Sequence, residues 1–542
     1  MTTLIDMPTR LLGVSVAYGL ALAVLLSPVV VLLYRRRVSA WMNRPAAGQP
    51  PRAPEPVVEP VAESPHLASL PLTWRALSLG AAATPAPSAA GVQRRRVLRR
   101  ILLGWCVGGL ANAALMTALL LQAFPEHASA NLAWTGGLTF SLPVLANALF
   151  LSDFRVRTRV GLFLAGAVGL YLLLGLRGDL AVSLFQGFVL LPVGLLLLLS
   201  LRFWRGVAPL VMPIALAAGW LAVAAVELAR QAFGAGPEQV WPWRLGGLLL
   251  GGWLGVALLR WVQAGYERRR LSDQEIFFDA WWLLYVLVQT VILVLMRRDA
   301  FFYLALLGWP LGIALRRGLW ALMPLPAPAG GPRHLLLLRV FDDSGRAHRL
   351  LEQLEQHWRS LGSVRMIAGR DLALRNLSPA DLAAFVSGRL KQRFVGDRSG
   401  QSLGQRLQAL SDTPDPDGRY RLEHFWCHAD AWQPVMRALA AQSQVVLMDL
   451  RGFTPQRQGC LIELQHLART AAHRRVVLLA QDEAQQQALR QLFGAQESTD
   501  SPWALVALDA AGADQGQRLF DLLAEPLPAA GPAVPAQGHL RG

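Results

Sequence analysis

VVLMDLRGFTPQRQGCLIELQHLART, residues 445–470, decides how the last third of this chain folds. An apolar run reaches Asp449, Arg451-Gly452 make a turn, and Thr454-Pro455 open a helix. Leu461, Leu464, Leu467, Ala468 and Ala471 then recur at helical spacing. The unit is strand, turn, helix, and it repeats on both sides. Strands are expected at 334–341 (HLLLLRVF), 363–369, 419–428, 475–480 and 503–509. Helices are expected at 344–362, 378–394, 430–442, 455–473, 483–493 and 515–523, with Ser378 and Pro379 as N-cap and first helical residue. Strands alternating with helices predict a mainly parallel sheet covered on both faces, an α/β domain over 333–525.

Upstream the pattern is different. The chain has 542 residues, 53% hydrophobic and only 16% charged, below the quarter or so usual in soluble domains. A helix crosses ~30 Å of hydrocarbon in about 20 apolar residues. Nine segments meet that length: 11–33, 101–122, 131–151, 159–176, 180–201, 207–228, 243–262, 276–296 and 300–324. An all-α transmembrane bundle of about nine spans is therefore expected, with a first span in 1–34, a Pro/Ala-rich linker over 35–100, further spans over 101–325, and a disordered tail over 526–542. The first apolar run is too long for a cleaved signal and lacks a small-residue cleavage site.

The net charge of +16 raises nucleic acid as a partner, and its distribution removes it. From Arg333 onward there are 24 basic and 22 acidic residues, so the excess lies among the apolar segments. If Arg35–Arg37 face the cytoplasm, that side collects 22 of the basic residues around the spans and the other side 6. The expected placement is a bacterial inner (plasma) membrane, with the N-terminus outside and the sheet domain cytoplasmic. Cys106, Cys427 and Cys460 suit a reducing compartment and form no disulfide framework.

Within the spans, Asp279 and Glu227 lie near interfaces, where water solvates them. Gly247, Gly251 and Gly255 form a small-residue stripe for close helix packing. A transport role would require an aqueous site lined by Asp279, Asn147 or Gln289.

Ligands of parallel sheets bind beyond the carboxyl ends of the strands. Phe341 and Asp342 follow the first strand, and Asp449 and Phe453 bracket the turn of the opening stretch; these four are the candidate ligand-binding residues. The turns carry neither a dinucleotide fingerprint nor a phosphate-cradling loop. Glu463 is the candidate catalytic carboxylate. It is equally readable as a solvated flank of its helix, paired with His466 at i+3. It falls nine residues after Thr454, ~13 Å along a helix, a long reach for a sheet-edge site. His424, Cys427, His428 and Asp430 are metal-ligand types without zinc spacing, so no metal is expected.

The strand ending in DLRGF, followed by Cys460-x-x-Glu463-Leu464 on a helix, resembles the Toll/interleukin-receptor (TIR) domain, in which a Trp-Cys-x-x-Glu-Leu helix follows such a strand; here Gly459 holds the Trp position. The FDD and GRD turns after the first two strands are similar in order to other boxes of that family. Nucleoside deoxyribosyltransferase-like domains share the layout. The resemblance implies that Glu463 supports cleavage of the nicotinamide–ribose bond of NAD, which then serves as substrate, with no resident cofactor. Nicotinamide leaves as a neutral base, so the work left is stabilising an oxocarbenium-like ribosyl centre. The reading from sequence is a membrane-tethered signalling or defence module that binds, and in one version cleaves, NAD or another nucleotide. Its partners are the bilayer, a nucleotide and a second copy of itself. Open beside it are a non-catalytic interaction or regulatory protein and a transporter with a regulatory domain.

Overall fold

The computed structural model describes residues 2–43, 73–78, 89–151, 156–175, 207–234, 236, 238–297, 299–339, 354–368, 379–395, 401–428, 431–453, 458–469, 475–493, 496–497, 501–507 and 515–527. The first part is helical: α1 (Thr2–Met42), α2 (Ala89–Ala123), α3 (Ala130–Leu151), α4 (Val156–Gly175), α5 (Ala208–Phe233), α6 (Trp241–Glu267), α7 (Asp273–Arg297) and α8 (Gly308–Leu322). A 3-10 helix, Ala300–Leu307, leads directly into α8. Five of the described helices, α2, α3, α5, α6 and α7, are long and apolar enough to cross a membrane; a shorter apolar stretch, Val160–Leu173, lies in α4. The span expected over 180–201 lies outside the described residues.

The glycine stripe does what its spacing predicts. Gly247, Gly251 and Gly255 are buried on α6, and a Cβ on any of them would strike α5 at Leu221, Ala218 or Ile214. Gly252, one residue round, faces open space.

The second part is a sheet of β1 (Thr73–Ser78), β2 (Leu335–Arg339), β3 (Val364–Ala368), β4 (Phe394–Val395), β5 (Leu422–Cys427), β6 (Val445–Asp449), β7 (Arg475–Ala480), β8 (Gln496–Glu497) and β9 (Trp503–Ala507). Their order is 4-5-3-2-6-7-9-1-8, and every described pairing is parallel. The helices are α9 (Pro379–Val386), α10 (Gln401–Gln408), α11 (Trp432–Ala441), α12 (Gln458–Arg469), α13 (Glu483–Phe493) and α14 (Gln515–Ala524). Leu336, Val446 and Leu478 face a core completed by α11, α12 and α13. Leu337, Leu447 and Val477 face a second core completed by 354–361, α14 and Ala90 at the start of α2.

Two expectations change. The linker is not structureless throughout: β1 comes from it and pairs in parallel with β9 from Arg75↔Ala504 to Ser78↔Ala507. Thr73–Ser78 and the C-terminal strands thus belong to one sheet. The helix expected over 378–394 stops at Val386, because Gly388 takes φ +72, the left-handed conformation that ends helices. The chain continues as a 3-10 turn into β4. Ser378 lies outside the described residues.

The helices meet the sheet domain at the amino edge of its strands. The segment 411–421, just before β5, is folded on itself by Asp415 N–H to Arg419 O and Gly418 N–H to Asp415 O, each 2.8 Å. Its Arg421 grips both oxygens of Asp415 (2.9 and 3.0 Å) and donates to the carbonyls of Tyr266 (2.5 Å) and Leu271 (3.3 Å) in the α6–α7 turn. From that turn Arg269 donates back to the Thr413 and Ser411 carbonyls at 2.7 and 3.1 Å. It does so at φ +55, the one left-handed non-glycine among the described residues. Asp273, the first residue of α7, accepts from Arg359 (3.1 Å), and Arg100 of α2 donates to Pro416 O (3.0 Å). Meanwhile α1 outruns a bilayer: its 41 residues span ~60 Å at 1.5 Å each, and Tyr34, Val38 and Trp41 pack along the β4–β5 flank.

Asp279 is not solvated, as position alone suggested. Both of its oxygens accept from Arg316 of α8 at 2.6 and 2.8 Å, and the guanidinium lies 3.9 Å from the Trp105 ring centroid. Fully buried Glu275 joins them at 3.3 Å from Arg316. Paired in this way, the charges can sit below the surface.

The α5–α6 contact predicts an asymmetric response. Gly251→Leu should lower thermal stability in detergent by roughly 1–3 kcal/mol or prevent folding, because helix backbone cannot yield to the added carbons. Gly252→Leu should leave the melting temperature within a degree or two, and equal losses for both would contradict the packing.

Candidate functional site at the carboxyl edge of the sheet

From β2 the chain moves to one side of the sheet for β3, β4 and β5, then returns to the other side for β6, β7 and β9. The direction reverses between β2 and β6. Connections leaving those two strands go to opposite faces, and in α/β sheets the carboxyl ends of the strands at such a reversal are where ligands bind. The register ends there on Arg339 opposite Asp449. The five-residue strands separate this edge by ~17 Å from the amino edge that meets the helices.

Of the four candidate ligand-binding residues, Phe341 and Asp342 lie outside the described residues, directly after β2 in sequence. Asp449 and Phe453 are placed. Asp449 is 2% exposed and engaged: Arg451 reaches its two oxygens through Nε (2.8 Å) and Nη2 (2.7 Å), and Arg451 N–H donates to it at 3.1 Å. Gly452 turns the chain at φ +75, where a side chain would be strained. Phe453 N–H closes the turn on Leu450 O (2.8 Å), and its ring packs against the core. The edge therefore presents a positioned guanidinium braced by a buried carboxylate. Sequence reasoning passed over Arg451, although Asp-x-Arg at a strand end is the visible signal of such a brace.

Glu463 is a different kind of residue. Cys460, Leu464 and Leu467 turn α12 onto the sheet, and a Cβ on Gly459 would come 3.9 Å from the Trp432 ring of α11. At 100° per residue Glu463 falls between those two directions, in the seam between α12 and α11. It is 8% exposed, and its Oε2 has no hydrogen-bond partner among the described residues. Burial without a compensating charge pushes the carboxyl up to about 8. The solvated-flank reading with His466 is thus overturned: α11 covers that flank, a tertiary contact the helical wheel alone does not reveal. Glu463 stands five residues into α12, roughly 8 Å along its axis, and no described hydrogen bond or ion pair joins it to Asp449.

Cys460 and Cys427 are buried, and burial pushes the Cys427 thiol up to about 12, so it behaves as a small hydrophobe. His428 Nδ1 bonds Trp41 O at 2.9 Å. Among the described residues no three His, Cys, Asp or Glu side chains group as metal ligands.

The Glu463 carboxyl carries a pH signature. Its folded pKa, about 8, lies above the ordinary 4.5, so folding favours the protonated acid. Its contribution is fully present below pH 4.5 and is lost as pH rises toward 8, by roughly 3–5 kcal/mol in all. Glu463→Gln should remove that loss, so that variant and native proteins diverge in melting temperature as pH rises from 5 to 8, the variant being higher. Parallel pH profiles would show that the acid is solvated or paired. No family model matches this chain, and no curated protein or solved structure does so either.

Proposed function

We propose that the chain is a multi-pass protein of a bacterial inner membrane, with about nine spans and its N-terminus outside. Its cytoplasmic sheet domain takes a nucleotide such as NAD in the crevice between β2 and β6. It works as a signalling or defence module, passing occupancy of that crevice to the helices. The observation that carries this reading is the use of the two edges of the sheet. The amino edge is fastened to the helix ends through Arg421, Arg269 and Arg359. The carboxyl edge, where α/β sheets take ligands, points the other way. Arg451, held there on Asp449, is the cation that a nucleotide phosphate would meet at this edge.

Cleavage of NAD asks more of Glu463. As a neutral acid it cannot stabilise an oxocarbenium centre. The positive charge of a nicotinamide ring beside it would draw the proton off, so the substrate itself would generate the anion. The apolar seam around Glu463 favours a second reading, an interaction and regulatory domain that binds without cleaving.

The full chain is the right material, because β1 comes from residues 73–78 and a 333–525 fragment lacks it. In lipid nanodiscs NAD⁺ should bind, as read by calorimetry, and Arg451→Ala should weaken that binding about tenfold. If cleavage follows, nicotinamide release should fall about 100-fold in Glu463→Ala with affinity nearly unchanged. Binding without release leaves the regulatory reading, and the absence of binding by NAD⁺, ADP-ribose and ATP alike overturns the nucleotide reading.

A further inference from the structure

Exposed tryptophans stand near both ends of α6. Trp241 and Trp261 are separated by ~30 Å at 1.5 Å per residue, the thickness of a bilayer core. Tryptophan favours the membrane–water interface, so the pair marks two interfaces, and Trp261 marks the one nearer the sheet.

The sheet domain reaches down to that level. Leu382 and Ala383 of α9 share a buried core with Val31 of α1, Leu210 of α5 and Leu259 of α6, the last of them half a turn from Trp261. The sheet holds α9 there, because buried Asp381 accepts from Arg393 Nε at 2.8 Å and from Trp426 Nε1 at 3.1 Å. The turn that follows α9, 387–393, lies along α1. Phe385 meets the Tyr34 ring edge-on, Leu390 packs with Tyr34 and Val38, and Lys391 Nζ stands 5.9 Å from the Trp41 ring centroid.

α1 gives the same boundary independently. Its exposed row runs Leu25, Val29, Leu32 and Leu33, and one turn later becomes Arg36 and Arg37. A lipid-facing stripe that passes from leucine to arginine within a turn marks the step from acyl tails to headgroups. Arg37 is one turn before Trp41 and so lies on the side that Lys391 covers. Within the 387–393 turn, Arg393 is answered by Asp381 and, farther off, by Glu267. Arg389 and Lys391 are exposed, and among the described residues neither they nor Arg36 and Arg37 enter an ion pair.

We propose that Arg36 and Arg37 of α1, together with Arg389 and Lys391 of the turn after α9, bind the phosphates of anionic phospholipids in the leaflet nearer the sheet. Charge complementarity selects the occupant, since guanidinium and ammonium groups at headgroup depth meet lipid phosphate first. Charge bias in the loops accounts for the α1 arginines alone. The fold adds two cations of the sheet domain, far away in the chain, at the same layer. The site rests on the membrane placement proposed above and is independent of the nucleotide crevice.

Lys391 is the single lysine of the chain, which makes the native protein its own probe. The full chain is placed in nanodiscs of phosphatidylglycerol or of phosphatidylcholine, treated with acetic anhydride, and the Lys391 peptide is followed by mass spectrometry. Bound anionic phosphate holds the amine protonated and covered, so acetylation should be at least about threefold slower in phosphatidylglycerol. Arg36→Gln with Arg37→Gln should abolish most of that difference, and Arg230→Gln with Arg244→Gln at the remote interface should leave it intact. Equal rates of the native chain in the two discs overturn the site, as does a difference that survives loss of both α1 arginines. Equal protection by millimolar glycerol phosphate in phosphatidylcholine discs would mean a soluble phosphate ligand and overturn the lipid assignment. Failure to enter either disc overturns the membrane placement itself, and this site with it.

Discussion

Arg421 holds the two halves of this protein together. Its guanidinium grips Asp415 inside the sheet domain and the Tyr266 and Leu271 carbonyls of the α6–α7 turn at once. It also lies against the Tyr266 ring, 3.8 Å from the centroid. A guanidinium with five donors in a plane can serve a carboxylate and two carbonyls together, which an ammonium cannot do as rigidly. Other contacts gather around it. Arg269 reaches 411–413 only from a left-handed backbone, and Arg359 meets Asp273 only if α7 starts there. The clamp lies at the amino edge of the sheet, about a strand's length from the carboxyl ends of β2 and β6.

The same economy of charge runs through the helices. The charged groups at the sheet-proximal end are answered locally, Asp279 and Glu275 by Arg316 and Arg316 by Trp105. The α6–α7 turn lies between this cluster and the Arg421 clamp, with Asp273 facing one and Glu275 the other. A rotation of α7 by part of a turn would disturb both together. Farther into the helices the buried polar groups described are neutral, among them Asn112, Asn147, Tyr285 and Gln289.

Much of the fold was legible in the sequence because its signals are local. The change from membrane-length apolar runs to alternating short strands and helices at His334 pointed to the parallel sheet, and Gly247-x3-Gly251-x3-Gly255 pointed to a close helix contact, whose partner, α5, only the structure supplies. What escaped were pairings between distant segments. β1 is six residues within a Pro-rich stretch, and its partner β9 lies more than 400 residues away. The neutralisation of Asp279 needs Arg316 on another helix, and the burial of Glu463 needs α11 across the seam. The strand-edge position of Asp449 was legible, whereas its engagement by Arg451 depended on the turn that Gly452 makes. The 3-10 pitch of 300–307 was hidden because an apolar run reads alike in either helix.

The 411–421 clamp couples the sheet domain to the α6–α7 turn, so the two should loosen together. Hydrogen exchange followed by mass spectrometry on the full chain, native and Arg421→Lys, tests it most directly. Lysine keeps the charge and loses the planar fork, so peptides covering 266–275 and 411–423 should gain exchange together while those covering β6 and β7 stay protected. Unchanged exchange at the α6–α7 turn, or loosening of 411–423 alone, would contradict the account.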